Sequence, residues 1–193
     1  MRNLHLDRLL KDVKEVKQAS EALFSSLTPE QITWKPNKKS WSVLECYDHL
    51  LVTNGLYIPR IEGALKKAEQ SVENSVRPFK PSYFGRLFIK SLRPQSRFKV
   101  KTFRVFKPKN GPQNLNIPAQ FLAQQDELIE LIKRADQCDV NSVKFSSPVS
   151  RLIRFSLGEG LSVIVVHEQR HLLQAQNLQL LPEFPEFQQV KRI

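Results

Sequence analysis

Cysteine is nearly absent from this 193-residue chain, with Cys46 and Cys138 the only two. Two lone thiols make no disulfide framework, and they are what a reducing compartment tolerates. Long apolar runs are missing as well. The longest, LSVIVV at 161–166, falls far short of the roughly 18 residues that a membrane-spanning helix requires. The first residues, MRNLHLDRLLKDVKEVKQAS, carry charges every few positions and hold no apolar stretch of the signal-peptide kind. These absences lead to the expectation of a soluble, cytoplasmic protein with no membrane partner. Glycine is sparse, 6 residues against 12 prolines, which favours firm loop boundaries over floppy linkers. Acidic residues are also in deficit, 19 against 30 basic ones, for a formal charge of +11. A basic excess can serve nucleic acid, an anionic membrane surface or an acidic small molecule. Much of it lies between Arg77 and Lys109.

What is present is helical periodicity. Over residues 4–24, Leu6, Leu9, Leu10, Val13, Val16, Ala19 or Ser20, Leu23 and Phe24 recur at three- and four-residue steps. Thr28-Pro29-Glu30-Gln31 supplies a cap, a first-turn proline and an acid, so a short helical turn is expected there. A second long helix is expected from about Trp41, capped by Ser40, to Ala68, with Pro59 as a kink or a lost hydrogen bond. From 71 to 117 the periodicity fails. Pro78, Pro81, Pro94, Pro108 and Pro112 punctuate basic and aromatic residues, with a short helix expected at 83–92 and an extended run, RFKVKTFRVFK, at 97–107. A third long helix is expected over 118–135 and a fourth from about Ser156 to Leu178. No persuasive period-two strands stand out. The reading is an all-α chain of one domain, residues 1–193: a four-helix bundle with a long, partly irregular, basic insertion at 71–117 between its second and third helices.

Only four histidines occur, and two of them sit four apart in VVHEQRHLLQ. On a helix that spacing puts His167 and His171 on one face, as in many metal sites, but such a pair also arises by chance. His49, within WSVLECYDHLL in the second helix, is the candidate third ligand, because ligands on facing helices of a bundle can converge. Its bland reading is a core histidine with one hydrogen bond.

SLTPEQITWKPNKKSWSVLECYDHLL, followed more than a hundred residues later by VVHEQRHLLQ, resembles the DinB-like superfamily of metal-binding four-helix bundles, which includes bacillithiol- and mycothiol-dependent transferases. The matching positions are Pro36, Trp41, Ser42, Glu45, His49, Leu50, His167, His171 and Gln174. The resemblance implies a divalent ion, zinc or nickel, on His49, His167 and His171, and a function as a metal-dependent thiol transferase or a related hydrolase with a low-molecular-weight thiol as partner. It also implies a stress-response setting and leaves a homodimer open. No catalytic residue beyond the ligands can be named. A non-catalytic metal- or small-molecule-binding protein is the alternative.

The neighbouring residues carry two readings each. Glu45 and Gln174 are candidates to orient the ligands from behind, or else a helix cap and a packing residue. Cys46 is a soft fourth ligand or, preferred, a buried thiol. Glu168 and Arg170 should point off the metal face as a solvated pair, and His5 is expected at the surface. In the insertion, Phe98, Phe103 and Phe106 interleave with cations as in single-strand binders. Aromatics buried against the bundle are the preferred reading, and nucleic acid is disfavoured as a partner. The insertion could instead hold the acidic groups of a thiol or substrate.

Overall fold

Asn3, Thr28, Ser42, Ser82 and Ser156 each accept a hydrogen bond from a backbone N–H two or three residues on, and each starts a helix. Such caps satisfy donors that have no partner within the helix. The computed structural model describes residues 3–70, 77–96, 102–110 and 114–186. Its helices are α1 (Leu4–Ser26), α2 (Pro29–Thr33), α3 (Val43–Glu69), α4 (Tyr83–Leu92), α5 (Ile117–Ala135) and α6 (Leu157–Leu178), with a 3-10 turn at Arg104–Phe106. The second long helix is capped by Ser42, not Ser40: Glu45 closes a capping box with Ser42.

The all-α expectation holds. Helices α1, α3, α5 and α6 form the bundle, with α3 and α1 each packed on both α5 and α6. The insertion includes α4, at the bounds the sequence predicts, and α4 lies along α6. Two features correct the expectation. Strands β1 (Lys144–Ser146) and β2 (Arg154–Ser156) form a small antiparallel hairpin, with Phe145 opposite Phe155. The run expected to be extended is a 3-10 turn at Arg104–Phe106, while its residues 97–101, Phe98 among them, lie outside the described residues.

The apolar core has two parts. One, around Leu9, Ile61, Leu128 and Leu161, includes both hairpin phenylalanines. The other, around Val16, Tyr47, Phe121 and Ala175, lies toward the opposite end. Between them runs a buried polar layer of Asn54 on α3, Gln125 on α5 and Glu168 on α6. Ser20 is the buried member of its pair with Ala19, and it accepts the Tyr47 hydroxyl at 2.8 Å.

His5 is not a surface residue. Its ring stacks on Phe79, centroids 4.0 Å apart, and its Nε2 lies 2.9 Å from Ser162 Oγ. The Ser162 hydroxyl donates to the Gly158 carbonyl at 2.6 Å, so Nε2–H donates to Ser162. Burial lowers the His5 pKa to about 4, against a smaller upward pull from the Gly158 carbonyl. With the folded pKa below the unfolded one, the unfolded chain takes up the proton first. The contribution to stability is therefore complete above about pH 6.5 and is lost as pH falls toward about 4. His5→Gln, which keeps a donor for Ser162, should show a shallower fall in Tm across that window than the wild type. Parallel Tm profiles would remove this role for His5.

Candidate metal centre

His49 enters from the second turn of α3, and His167 and His171 from one face of α6. Their rings form a triangle with centroids 4.6–4.9 Å apart. His167 Nε2 lies 3.2 Å from His49 Nε2 and 3.1 Å from His171 Nε2, and one ligand atom from each ring lies within 4.8 Å of the others. Nitrogens bound tetrahedrally at 2.0–2.1 Å would sit about 3.3–3.4 Å apart. The observed separations are close to that.

The protons of the rings decide whether an ion fits. His49 Nδ1 is 2.5 Å from the Phe106 carbonyl oxygen. A carbonyl only accepts, so Nδ1 carries the hydrogen, and in the neutral ring Nε2 presents a bare lone pair to the centre. Burial pushes the pKa of all three rings down, His171 to about 3 and His167 well below its ordinary value, and each of these two is lowered further by its histidine neighbours. The rings are therefore neutral at pH 7. Three neutral imidazoles whose nitrogens converge suit a divalent cation. Trp41 closes one side, its ring 4.8 Å from His49 and 5.8 Å from His171.

The support behind His49 comes from the insertion. Asp48, buried beside it, accepts the backbone N–H groups of Lys109 and Asn110 at 2.8 Å each, and the Asn110 amide at 2.6 Å. That clamp fixes the chain that carries the Phe106 carbonyl. An acid inside the apolar stripe of a helix was the available signal for Asp48. The Phe106 carbonyl had none, because a main-chain oxygen has no sequence signature.

Glu45 spends its carboxylate on the Ser42 N–H at 2.9 Å and on Lys35 Nζ at 2.8–2.9 Å, which is the capping alternative. Gln174 is exposed at the edge of the centre. It raises the His171 pKa slightly, while the buried Nδ1 of His171 has no partner that meets hydrogen-bond geometry among the described residues. Cys46 is fully buried in the core, and burial pushes its thiol pKa far up.

Glu168 corrects the expectation of a solvated pair. It is wholly buried, and its Oε1 accepts Asn54 Nδ2 at 2.7 Å and Gln125 Nε2 at 2.8 Å. Burial raises its pKa to about 7, with the two amides pulling the other way. Arg170 instead donates to the carbonyls of Ser91 and Arg93 at 3.3 and 3.2 Å, tying the end of α4 to α6.

Asp48→Ala should lower metal affinity about 10- to 100-fold through loss of His49 orientation, and should lower Tm as well, since it removes a buried acceptor of three hydrogen bonds. Competition with a chelator of known affinity would read this, and unchanged affinity would show that the clamp is dispensable. Glu168→Ala should destabilise the fold by roughly 2–4 kcal/mol, since it strands two buried amides and leaves a cavity. Urea unfolding would check it.

No curated protein and no solved structure matches the chain. The family model described as the DinB superfamily matches residues 13–175, a span that takes in α3 and α5 whole, most of α1 and α6 and all three converging histidines, and the chain belongs to the DinB superfamily.

Proposed function

We propose that His49, His167 and His171 hold a divalent metal ion, zinc or nickel, and that the protein is a metal-dependent transferase for a low-molecular-weight thiol. The observation that carries this reading is the convergence of three neutral Nε2 atoms with no fourth protein ligand among the described residues. A closed structural site would show four protein ligands, whereas three leave a position open for a reactant. A divalent ion held there supplies the means to keep a thiol, or a water in the hydrolytic variant, deprotonated at neutral pH.

The chain's own residues divide the remaining work. His49 is held in one tautomer by the Phe106 carbonyl. Trp41 and Phe106 wall the centre against bulk water, and Phe106 itself lies against the Tyr57 ring. Lys39, Gln174 and Asn177 line the same cavity at the end where α6 finishes and suit the polar and acidic groups of a small thiol. Glu159, the one carboxylate that lines the cavity among the described residues, is engaged by the N–H groups of Ser82 and Ser156. That leaves no carboxylate free to act as general base among the described residues, and the reaction has to rely on the ion for the nucleophile.

Metal analysis by mass spectrometry should find about one zinc or nickel per wild-type chain, lost in both His49→Ala and His171→Ala. The loaded protein should then turn over an electrophile only when thiol is added. Failure to take up either metal would overturn the proposal, and thiol-independent sequestration without turnover would reduce it to a binding protein.

A further inference from the structure

The cavity that meets the histidines is too large for an ion and a small thiol. Its volume is about 1550 Å³, whereas sites for small molecules usually span about 300–1,000 Å³. The histidines divide it along α6. On the His171 side the polar residues Lys39, Gln174 and Asn177 line it together with Leu173, Leu178 and Leu181. On the His167 side it continues past Val163 toward the hairpin. That second arm is apolar, with Tyr57 and Phe155 behind, Phe84, Leu87 and Phe88 of α4 along one wall, and Ile153 at the mouth.

The α4 wall is anchored at both ends. At its start, Glu159 accepts the Ser82 N–H at 2.7 Å with one oxygen and caps α6 through the Ser156 N–H at 2.8 Å with the other. A Cβ at Gly85 would fall 2.1 Å from Glu159 Oε1, so the approach of α4 depends on that glycine. At its far end stand the Arg170 bonds to Ser91 and Arg93. Between these anchors α4 follows α6 for about 15 Å at ~1.5 Å per residue. Phe88 stacks on Phe155 of the hairpin, centroids 5.5 Å apart, which joins the two walls.

This arm leaves apolar side chains in water, with Phe84 80%, Leu87 48% and Ile153 47% exposed. Exposed apolar surface grouped around a cavity marks a place for a ligand. The charge at the arm is positive. Arg154, on β2 beside Phe155, lines the cavity and has no acidic partner among the described residues, and the nearby Glu159 is engaged as described.

We propose that the α4–hairpin arm binds a single amphipathic anion whose apolar or aromatic body lies between α4 and Phe155 and whose carboxylate, sulfonate or phosphate is held by Arg154. Such a molecule presents its other end to the histidines, which makes it the electrophilic substrate class of the thiol transfer; only that last role rests on the metal-centre reading.

The test uses the full chain and a matched pair of fluorescent probes, 11-(dansylamino)undecanoic acid and its methyl ester. Wild type should bind one acid molecule per chain saturably. Arg154→Glu should weaken the acid about tenfold or more, the scale of one charge-assisted hydrogen bond, and leave the ester within about twofold. Leu87→Asp should weaken both probes. Both substitutions fall at exposed positions, and unchanged Tm values would confirm that the fold is kept. His49→Ala should still bind the acid. Metal content measured on the same preparations reports on the thiol-transfer reading separately, so a metal-free protein that binds the acid would sink that reading and leave the arm. No saturable uptake, an equal effect of Arg154→Glu on acid and ester, or binding to anionic vesicles without uptake of monomeric acid would overturn the arm proposal.

Discussion

The Glu168 carboxyl group, shut away from water in the middle of the bundle, sets the register on which the rest depends. From α6 it takes hydrogen bonds from Asn54 on α3 and Gln125 on α5, between two apolar core regions that could each tolerate small slides of one helix past another. A buried polar group gains only when its partners are in place, and leaving it unpaired is expensive. Helix α6 therefore has one favoured height relative to α3. The residue before Glu168 is His167, so the height that satisfies the carboxyl also brings the α6 histidines level with His49.

A second layer of constraint is wrapped around the first by the insertion. Asp48 grips the backbone at Lys109 and Asn110, and the Phe106 carbonyl fixes the His49 ring. Glu159 and Arg170 fasten α4 to the outer face of α6. The insertion thus supplies one wall of the cavity and the orientation of one ligand. Its aromatics accordingly divide by place: Phe106 is taken up by the bundle, while Phe84 remains at the mouth beside Leu87, facing the hairpin that carries Arg154.

Most of this was legible where local chemistry and tertiary packing agree. The long helices followed from apolar spacing, the Thr28 turn from its cap and proline, and α4 from a short proline-free run between Pro81 and Pro94. The hairpin was not legible, because three-residue strands are too short to show a period of two. Ser40 was preferred over Ser42 although the S-x-x-E spacing of a capping box begins at Ser42. Glu168 and His5 misled for a shared reason: each is polar at a position whose cover comes from segments distant in the sequence, Asn54 and Gln125 for Glu168 and Phe79 and Ser162 for His5. The histidine triad was readable because the spacing of two ligands is local and the third sat in a strong helical stripe. What oriented His49 was not, because it came from a residue 57 positions away.

That acceptor is part of the main chain, and this makes it unusual as a target of variation. No substitution at 106 can delete a carbonyl, so with respect to His49 the identity of the residue is free. Length is not. A single residue gained or lost between Phe106 and the Asp48-held pair at 109–110 would turn a different peptide unit toward the imidazole, and the tautomer of one ligand would change with no ligand altered.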